Sequence, residues 1–385
     1  MKYDFDQVIE RRGTASLKWD TCAPDVLPMW VADMDFAVAE PIEQAMKERA
    51  AHPIYGYGEP PASYYKSVCG WFQRRHGWEI RREWLSYSPG IVSALHFFYN
   101  CYLEPGEKVM MMDPVYYPFF AAAQRNNVTV EKSRLKIQDG KYRVDFADFE
   151  AKAADPQVKM FILCNPHNPG GRCWEKEELE RMARICIDNG VLIISDEIHC
   201  DLTLNGNHYT PCASISPEIA DHTVTCVAPS KTFNIAGLQT SCIVISNKEL
   251  KDRYDTFLRS IGIMRPGVMG MAGFQAAYEK GGEWLDQLLV YLNGNLAFLK
   301  EYIAENLPFV RIMEPEATYL VWMDFREYGM EPEELHRKLL EEGKVWLDEG
   351  YLFGDSGNYY ERINIACPRS VLKDALDRMK QVLVG

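Results

Sequence analysis

The chain has 385 residues, of which 47% are hydrophobic and 25% are charged, a balance typical of globular proteins. This composition excludes a disordered chain, a collagen and a coiled coil, and the length predicts about two to three domains. The 42 basic and 55 acidic residues give a net charge of −13, which repels phosphate backbones and anionic lipid surfaces. We therefore expect neither nucleic acid nor a membrane as a partner.

The cysteines and the first residues bear on the compartment. The chain has 11 cysteines and no Cys-x-x-Cys pair, which favours reduced thiols over a disulfide framework. The opening MKYDFDQVIERRG mixes acidic and basic side chains and has no apolar core like that of a signal peptide. No apolar run reaches the length of a membrane span. We therefore expect a cytoplasmic protein.

In chain order, helical periodicity first marks residues 40–51, 61–76 and 91–102. Short β-branched runs then alternate with helical segments and predict strands at 108–112, 128–135, 158–164, 191–195, 223–227 and 241–245. Several of these runs are apolar throughout, which is typical of a mostly parallel sheet covered by helices on both faces. The sequence therefore predicts the α/β fold class.

The pattern changes after residue 281. One long helix is predicted at 283–306, followed by strands at 310–313, 319–322 and 362–366 and by helices at 332–342 and 370–384. Residues 1–39 contain many turn formers and little periodicity, and we expect them to pack on this second unit. We therefore predict a large α/β domain at 40–281 and a small α+β domain formed by 1–39 plus 282–385.

Polar residues directly follow three of the predicted strands. Asn168 lies in Asn-Pro-His-Asn-Pro-Gly-Gly, Asp196 and His199 lie in Asp-Glu-Ile-His, and Lys231 lies in Ser-Lys-Thr-Phe-Asn. Each has an ordinary alternative, namely a turn residue, a helix cap, a packed histidine and a solvated lysine. Because ligands of open α/β sheets bind beyond the carboxyl ends of the strands, we expect these four side chains to meet in one site.

These motifs resemble the pyridoxal phosphate aminotransferase superfamily of fold type I. Within that superfamily, segments 12–20, 28–36, 316–320 and 362–369 are similar to the cystathionine β-lyase branch of the cystalysin type. The resemblance runs over nearly the whole chain. It implies the fold type I transferase architecture, with a mostly parallel sheet of the seven-stranded type, helices on both faces and a smaller α+β domain.

The resemblance also implies pyridoxal 5′-phosphate as the cofactor, an electron sink that the protein must hold and orient. Lys231 then supplies the amine for the cofactor aldehyde, Asp196 keeps the ring nitrogen protonated, and Asn168 donates to the ring hydroxyl oxygen. His199 stands where aminotransferases usually have a tyrosine, and it matches the lyase branch instead. We expect His199 to tune the cofactor and not to act as the proton-transfer base.

Further cofactor contacts follow from the same resemblance. Tyr116 belongs to a Tyr-Tyr pair after a predicted strand and is expected to stack on the ring, the alternative being that both tyrosines pack in the core. The helix that begins at Ile91 offers the amides of Ile91 and Val92 to the phosphate, and Ser230 adds a donor. Tyr57 is expected to reach the phosphate from a second subunit. The resemblance thus implies a homodimer with shared active sites.

Charge balance and substrate recognition involve three further positions. Aminotransferases commonly have an arginine where this chain has Gln239 and a phosphate-binding hydroxyl where it has Ala228, so the balance of the phosphate charge is open. Arg362 matches the family's arginine that binds the substrate carboxylate through two parallel hydrogen bonds, an exposed strand arginine being the alternative. The expected partner is a small-molecule amino acid.

The implied reaction is β-elimination by a carbon–sulfur lyase, which converts L-cystathionine or a related S-substituted cysteine to pyruvate, ammonia and a thiol. Lys231 is the expected base for the α-proton. An aminotransferase begins with the same proton removal and is the alternative, and a cofactor-retaining protein that binds a transcription regulator is a less favoured one. A zinc site at Cys164, His167, Cys173 and His199 is disfavoured because the spacing fits no common motif, and no metal is expected.

Overall fold

The computed structural model describes residues 2–384. The strands, in chain order, are β1 (Leu27–Pro28), β2 (Leu85–Ser88), β3 (Lys108–Asp113), β4 (Thr129–Gln138), β5 (Lys141–Val144), β6 (Val158–Cys164), β7 (Leu192–Asp196), β8 (Thr223–Val227), β9 (Ser241–Ile245), β10 (Arg311–Ile312), β11 (Leu320–Asp324), β12 (Val345–Trp346), β13 (Asp348–Glu349) and β14 (Tyr360–Asn364). The α-helices are α1 (Leu17–Asp20), α2 (Glu40–Ala51), α3 (Ala62–His76), α4 (Ile91–Tyr102), α5 (Pro118–Arg125), α6 (Phe146–Ala153), α7 (Lys176–Asp188), α8 (Pro217–Asp221), α9 (Lys248–Ser260), α10 (Val268–Lys280), α11 (Gly282–Asn306), α12 (Pro332–Arg337) and α13 (Arg369–Leu383).

The large sheet has the strand order β2-β9-β8-β7-β6-β3-β4-β5. The pairs β8 with β7, β7 with β6, β6 with β3 and β3 with β4 are parallel, whereas β9 and β5 run antiparallel to their neighbours. Parallel strands direct their carboxyl ends to one edge of a sheet. Residues that follow β3, β6, β7 and β8 therefore converge at that edge.

The central strands are buried on both faces. Along β3, Val109 and Met111 pack into one hydrophobic core, and Met110 and Met112 pack into another. Because side chains alternate across a strand, one unbroken apolar run contributes to two layers at once. Helices α4, α5 and α9 complete the first core, and α6, α7 and α8 complete the second. The predicted α/β arrangement is confirmed.

The C-terminal part of the chain forms a smaller antiparallel sheet with the order β10-β11-β14-β13. Residues of α11 and α13 share a hydrophobic core with β11 and β14. The N-terminal segment adds β1, which pairs in parallel with β12, and Phe5 packs edge-on against Trp284 of α11. The division into 40–281 and 1–39 plus 282–385 remains a prediction, and residues 1 and 385 lie outside the described part.

The bounds of several predicted elements agree with the structure, namely the strands at 158–164, 223–227 and 241–245 and the helices at 40–51 and 91–102.

The sheet has one strand more than the seven-stranded type, because Asp139 and Gly140, both at positive φ, close a hairpin between β4 and β5. An Asp-Gly pair is a strong signal for this turn. β2 is absent from the predictions because its sequence, Leu-Ser-Tyr-Ser, contains no β-branched residue. No helix within residues 2–384 has the length and apolarity needed to cross a membrane.

Candidate active site

A cavity of about 200 Å³ lies beyond the carboxyl ends of β6, β7 and β8. Eight of the predicted site residues line it: Ile91, Val92, Tyr116, Asn168, Asp196, His199, Ser230 and Lys231. A second cavity of about 830 Å³ adjoins it, and Ala32, Tyr116 and Lys231 line both. Arg362 lines the second cavity. The structure thus gathers the predicted residues around two adjoining spaces.

Lys231 lies in the loop that follows β8. Its Nζ donates a hydrogen bond to the carbonyl oxygen of Ala32 at 2.7 Å. Burial lowers the pKa of Lys231 to about 8, although the carboxylates of Asp33 and Asp196 act in the opposite direction. An amine with a pKa near neutrality has a free lone pair in a useful fraction of molecules. Lys231 is therefore suited to act as a nucleophile or as a proton acceptor.

Asp196 is the last residue of β7, and only 5% of it is exposed. Burial raises the pKa of Asp196 to about 7. Its Oδ1 accepts a hydrogen bond from the Ile198 amide at 3.2 Å, and it forms no salt bridge with any residue of the described chain. A buried carboxylate without a cationic partner is costly, so this position suits a ligand that presents a proton or a positive charge.

Asn168 and His199 face the same cavity. Asn168 Oδ1 accepts a hydrogen bond from Arg362 Nη1 at 2.9 Å, which links the two spaces. His199 Nδ1 is buried and has no hydrogen-bond partner within residues 2–384. Burial, together with the positive charges of Lys231 and Arg362, lowers the pKa of His199 well below its usual value. The imidazole is therefore neutral near pH 7 and has an unused ring nitrogen for a ligand.

The two tyrosines that follow β3 have different surroundings. Tyr116 lines both cavities, whereas Tyr117 lines only the second and packs edge-on against Phe353, with ring centroids 5.2 Å apart. Burial raises the pKa of Tyr116, so its hydroxyl stays protonated. Of the two, Tyr116 is the one whose ring borders the space where a flat ligand would stack.

The N-terminus of α4 forms one end of the first cavity, with Gly90 as the N-cap residue. The first amides of a helix have no acceptor within that helix and favour an anion, so Ile91 and Val92 can bind a phosphate group. Ser230 lines the same space, and Gln239 lies at its exposed rim. No arginine of the described chain lines this cavity. Backbone donors therefore carry much of the anion binding that this chain can offer there.

Arg362 lies on β14 and is held firmly by residues of other segments. It is 2% exposed, which excludes the alternative of an exposed strand arginine. Nη2 donates to the Trp30 carbonyl oxygen at 3.1 Å and to Asp348, and the guanidinium lies 4.8 Å from the ring centroid of Phe353. A fixed guanidinium at the wall of the second cavity suits the recognition of a carboxylate.

Two residues that hold the N-terminal segment against the site are not predicted from the sequence. The Tyr319 hydroxyl donates to the Ala32 carbonyl at 3.0 Å, the same oxygen that Lys231 uses. Asn364 Nδ2 donates to the carbonyls of residues 31 and 33 at 2.7 and 2.6 Å. Both residues lie in the segments similar to the lyase branch. Their partners, however, are about 300 positions away along the chain, so no local pattern reveals these bonds.

Tyr57 differs from the other predicted site residues. Its side chain is fully exposed, and it lines neither of the two cavities. The structure therefore does not bring Tyr57 to the site within one chain. The expected contact requires a second copy of the chain and remains a proposal.

Comparison with known proteins agrees with this geometry. The sequence model of the aminotransferase class I and II family matches residues 24–379. A cystathionine beta-lyase, PatB of Bacillus subtilis (strain 168), is 43% identical over 385 residues, which cover 99% of this chain and 100% of the relative. The chain belongs to the aminotransferase class I and II family.

Two solved structures of similar proteins contain pyridoxal 5′-phosphate. Cystalysin from Treponema denticola is 35% identical with a TM-score of 0.96, and the match covers 100% of this chain and 99% of cystalysin. A C–S lyase from Staphylococcus hominis is 34% identical with a TM-score of 0.94, covering 100% of this chain and 98% of the lyase. The fold expected from the resemblance is confirmed.

Proposed function

We propose that this chain is a pyridoxal 5′-phosphate-dependent carbon–sulfur β-lyase that converts L-cystathionine or a related S-substituted cysteine to pyruvate, ammonia and a thiol. One observation carries the proposal: a half-buried lysine of lowered pKa, Lys231, and an unpaired buried carboxylate, Asp196, share a cavity beside the space lined by Arg362. Relatives described as a cystathionine beta-lyase and a C–S lyase favour β-elimination. We place the enzyme in the cytoplasm.

The residues of the first cavity fit the cofactor group by group. An unpaired Asp196 suits a protonated ring nitrogen, and the unused His199 Nδ1 is a polar atom for which the packed chain supplies no partner. The proposed contacts are Lys231 for the aldehyde, Asp196 for the ring nitrogen, Asn168 and His199 for the polar edge of the ring, Tyr116 for its face, and Ile91, Val92 and Ser230 for the phosphate. When bound, the cofactor accepts electron density from the substrate α-carbon.

The chain's own residues then determine which bonds react. Arg362 binds the α-carboxylate and so fixes the orientation of the α-carbon relative to Lys231. Lys231 Nζ would be released when the substrate amine takes its place at the aldehyde, and the free amine can then accept the α-proton, a role that contributes roughly 10² to 10⁴ in rate. The electron pair left at the α-carbon forms a bond to the β-carbon as the thiolate leaves with the electrons of the carbon–sulfur bond. The three-carbon fragment hydrolyses to pyruvate and ammonia.

An aminotransferase is the second candidate, because the family model bears that description and the reaction begins with the same proton removal. A dicarboxylate aminotransferase needs a second cation in the substrate space. Arg11 lines that space, but its guanidinium donates to Asp33 at 3.0 and 2.7 Å and to Asp35 at 2.6 Å. Within the described residues Arg11 is thus committed to internal carboxylates, which disfavours a dicarboxylate substrate.

Product analysis with L-cystathionine tests the proposed reaction. The β-lyase should release pyruvate, ammonia and free thiol over many turnovers without an added keto acid. Conversion that stops at one equivalent per active site and resumes when a keto acid is supplied would establish an aminotransferase instead. Negligible turnover together with a stable complex with a transcription regulator would establish the regulatory function.

We also propose a homodimer in which the partner subunit's Tyr57 contacts the phosphate at the N-terminus of α4, here called the phosphate end of each site. The support is an exposed Tyr57, the apolar side chains of Ile54 and Tyr55 exposed beside it, and a phosphate end to which this chain contributes no arginine. A tyrosine hydroxyl can donate a hydrogen bond to a phosphate oxygen. The large domain at 40–281 would then supply both the cavity and the interface.

The dimer proposal predicts an effect of Tyr57→Phe on cofactor affinity. Loss of one hydrogen bond to a charged group should weaken pyridoxal 5′-phosphate binding about tenfold or more, as measured by titration of cofactor-free protein. Tyr55→Phe, which alters an exposed neighbour, is the control and should bind normally. A monomer by analytical ultracentrifugation, or unchanged affinity in Tyr57→Phe, would contradict the shared site.

A further inference from the structure

Arg362 is already paired with a carboxylate of its own chain. Asp348 on β13 is the cross-strand partner of Arg362 on β14, and its Oδ2 accepts a hydrogen bond from Arg362 Nη2. Asp348 is 1% exposed and Arg362 is 2% exposed, so water screens this ion pair poorly. The proposed carboxylate-binding arginine therefore holds an internal anion.

The hydrogen bonds of Arg362 leave no free pair of donors for a second carboxylate. A carboxylate binds a guanidinium in parallel through Nε with Nη2 or through Nη1 with Nη2, and both arrangements use Nη2. Nη2 donates to Asp348 and to the Trp30 carbonyl oxygen, whereas Nε has no partner in the described chain. Bidentate binding of a substrate therefore requires one acceptor to leave. Asp348 is the acceptor whose negative charge would repel the incoming carboxylate.

The surroundings of Asp348 offer little other compensation for its charge. The titratable groups that face it are Arg362, His336, Glu349, Glu361, Tyr116 and Tyr117. His336 pairs with Glu349 at 2.9 Å and with Glu361 at 3.6 Å, so its charge is shared by two other carboxylates. Burial raises the pKa of Asp348 to about 6, and its Oδ1 has no partner within residues 2–384. Two carboxylates at one guanidinium favour protonation of one of them.

On the basis of the proposed role of Arg362, we infer that Asp348 is a specificity-determining residue, which occupies this arginine in the free enzyme and takes up a proton when the substrate carboxylate displaces it. The proton comes from solvent and adds to the Asp348 carboxylate, and the substrate carboxylate takes over the ion pair. Substrate binding is therefore coupled to the uptake of one proton. A ligand without a carboxylate cannot replace Asp348 in the ion pair with Arg362, so this replacement contributes nothing to its binding.

The test uses the holoenzyme and 3-(methylthio)propionate, which carries the carboxylate and thioether of the substrate but has no amine to react with the cofactor. Isothermal titration in buffers of different ionisation enthalpy counts the protons taken up. The wild-type enzyme should take up close to one proton per ligand near pH 8, and its affinity should fall up to tenfold per pH unit above about pH 6. Asp348→Asn should take up none and should bind roughly tenfold or more tightly at pH 8.

The outcomes separate this inference from the proposed function. No proton uptake by the wild-type enzyme, or no gain in affinity in a cofactor-loaded Asp348→Asn variant, would overturn the inference and leave Asp348 as a residue that only positions Arg362. The wild-type proton count needs no variant and is independent of folding defects. Asp255→Asn, on α9 outside both cavities, is the control and should retain the proton uptake. If Arg362→Ala binds the probe as tightly as wild type, the proposed role of Arg362 itself fails.

Discussion

Replacing Lys231 with alanine should lower turnover of L-cystathionine by roughly 10³-fold or more, because the proposed general base and the proposed covalent anchor of the cofactor are lost together. No other lysine of the described chain lines either cavity. The fall should appear in kcat, since Arg362 would still bind the carboxylate. Pyruvate formation in a coupled assay measures it.

A matched lysine elsewhere gives the control for this prediction. Lys248 lies on α9 with 87% of its side chain exposed, and Lys248→Ala should turn over substrate at the wild-type rate. Residual activity of Lys231→Ala within tenfold of the wild type would assign proton transfer to a different group. We expect Lys231→Ala to fold, because the substitution removes a single hydrogen bond, the one from Lys231 Nζ to the Ala32 carbonyl oxygen.

Asp196→Asn should lower kcat by roughly 10² to 10³, the usual cost of removing a preorganised charge from the place where charge develops. The amide cannot provide the negative charge that, in the proposed site, keeps the ring nitrogen protonated. The Michaelis constant should change much less, because the carboxylate contact of Arg362 is on the other side of the site. Steady-state kinetics of Asp196→Asn against Asp255→Asn measure the effect, and a kcat within threefold of the control would remove Asp196 from the mechanism.

The same substitution should stabilise the cofactor-free protein above neutral pH. Burial raises the pKa of Asp196 from 3.8 to about 7, so the folded chain holds this proton more tightly than the unfolded chain does. The resulting stability is fully present below about pH 4 and is lost progressively as the pH rises to about 7. Cofactor-free Asp196→Asn should therefore melt at a higher temperature than wild type at pH 8, and the difference should shrink as the pH falls and disappear only below about pH 4. A lower melting temperature at pH 8 would contradict the unpaired state of this carboxylate.

Local sequence patterns were sufficient to predict that the polar residues at the ends of three strands lie around one cavity. Asp196 ends a short apolar strand, Asn168 and Lys231 each follow one, and parallel pairing alone brings such residues to one edge. The residue pattern alone does not distinguish Tyr116 from Tyr117, and only the resemblance favoured Tyr116. In the structure, Phe353 from a distant part of the chain packs edge-on against Tyr117.

Contacts between distant segments were beyond sequence reasoning. Asp348 lies on a strand of two residues, which is too short to show a period, and its pairing with Arg362 depends on the register of β13 against β14. Tyr319 resembles an ordinary buried strand residue until the N-terminal segment is placed against it. Asp348 accepts a hydrogen bond from Arg362, and Tyr319 donates to the same Ala32 carbonyl oxygen as Lys231 does. Predicting them requires the packing of three separate parts of the chain.

The position of cofactor attachment shows whether Lys231 holds the cofactor. Holoenzyme would be reduced with borohydride, digested with a protease and analysed by mass spectrometry. We expect the reduced cofactor on Lys231 at close to one equivalent per chain. Attachment to any other lysine, or a purified and reconstituted protein that carries no cofactor, would contradict it.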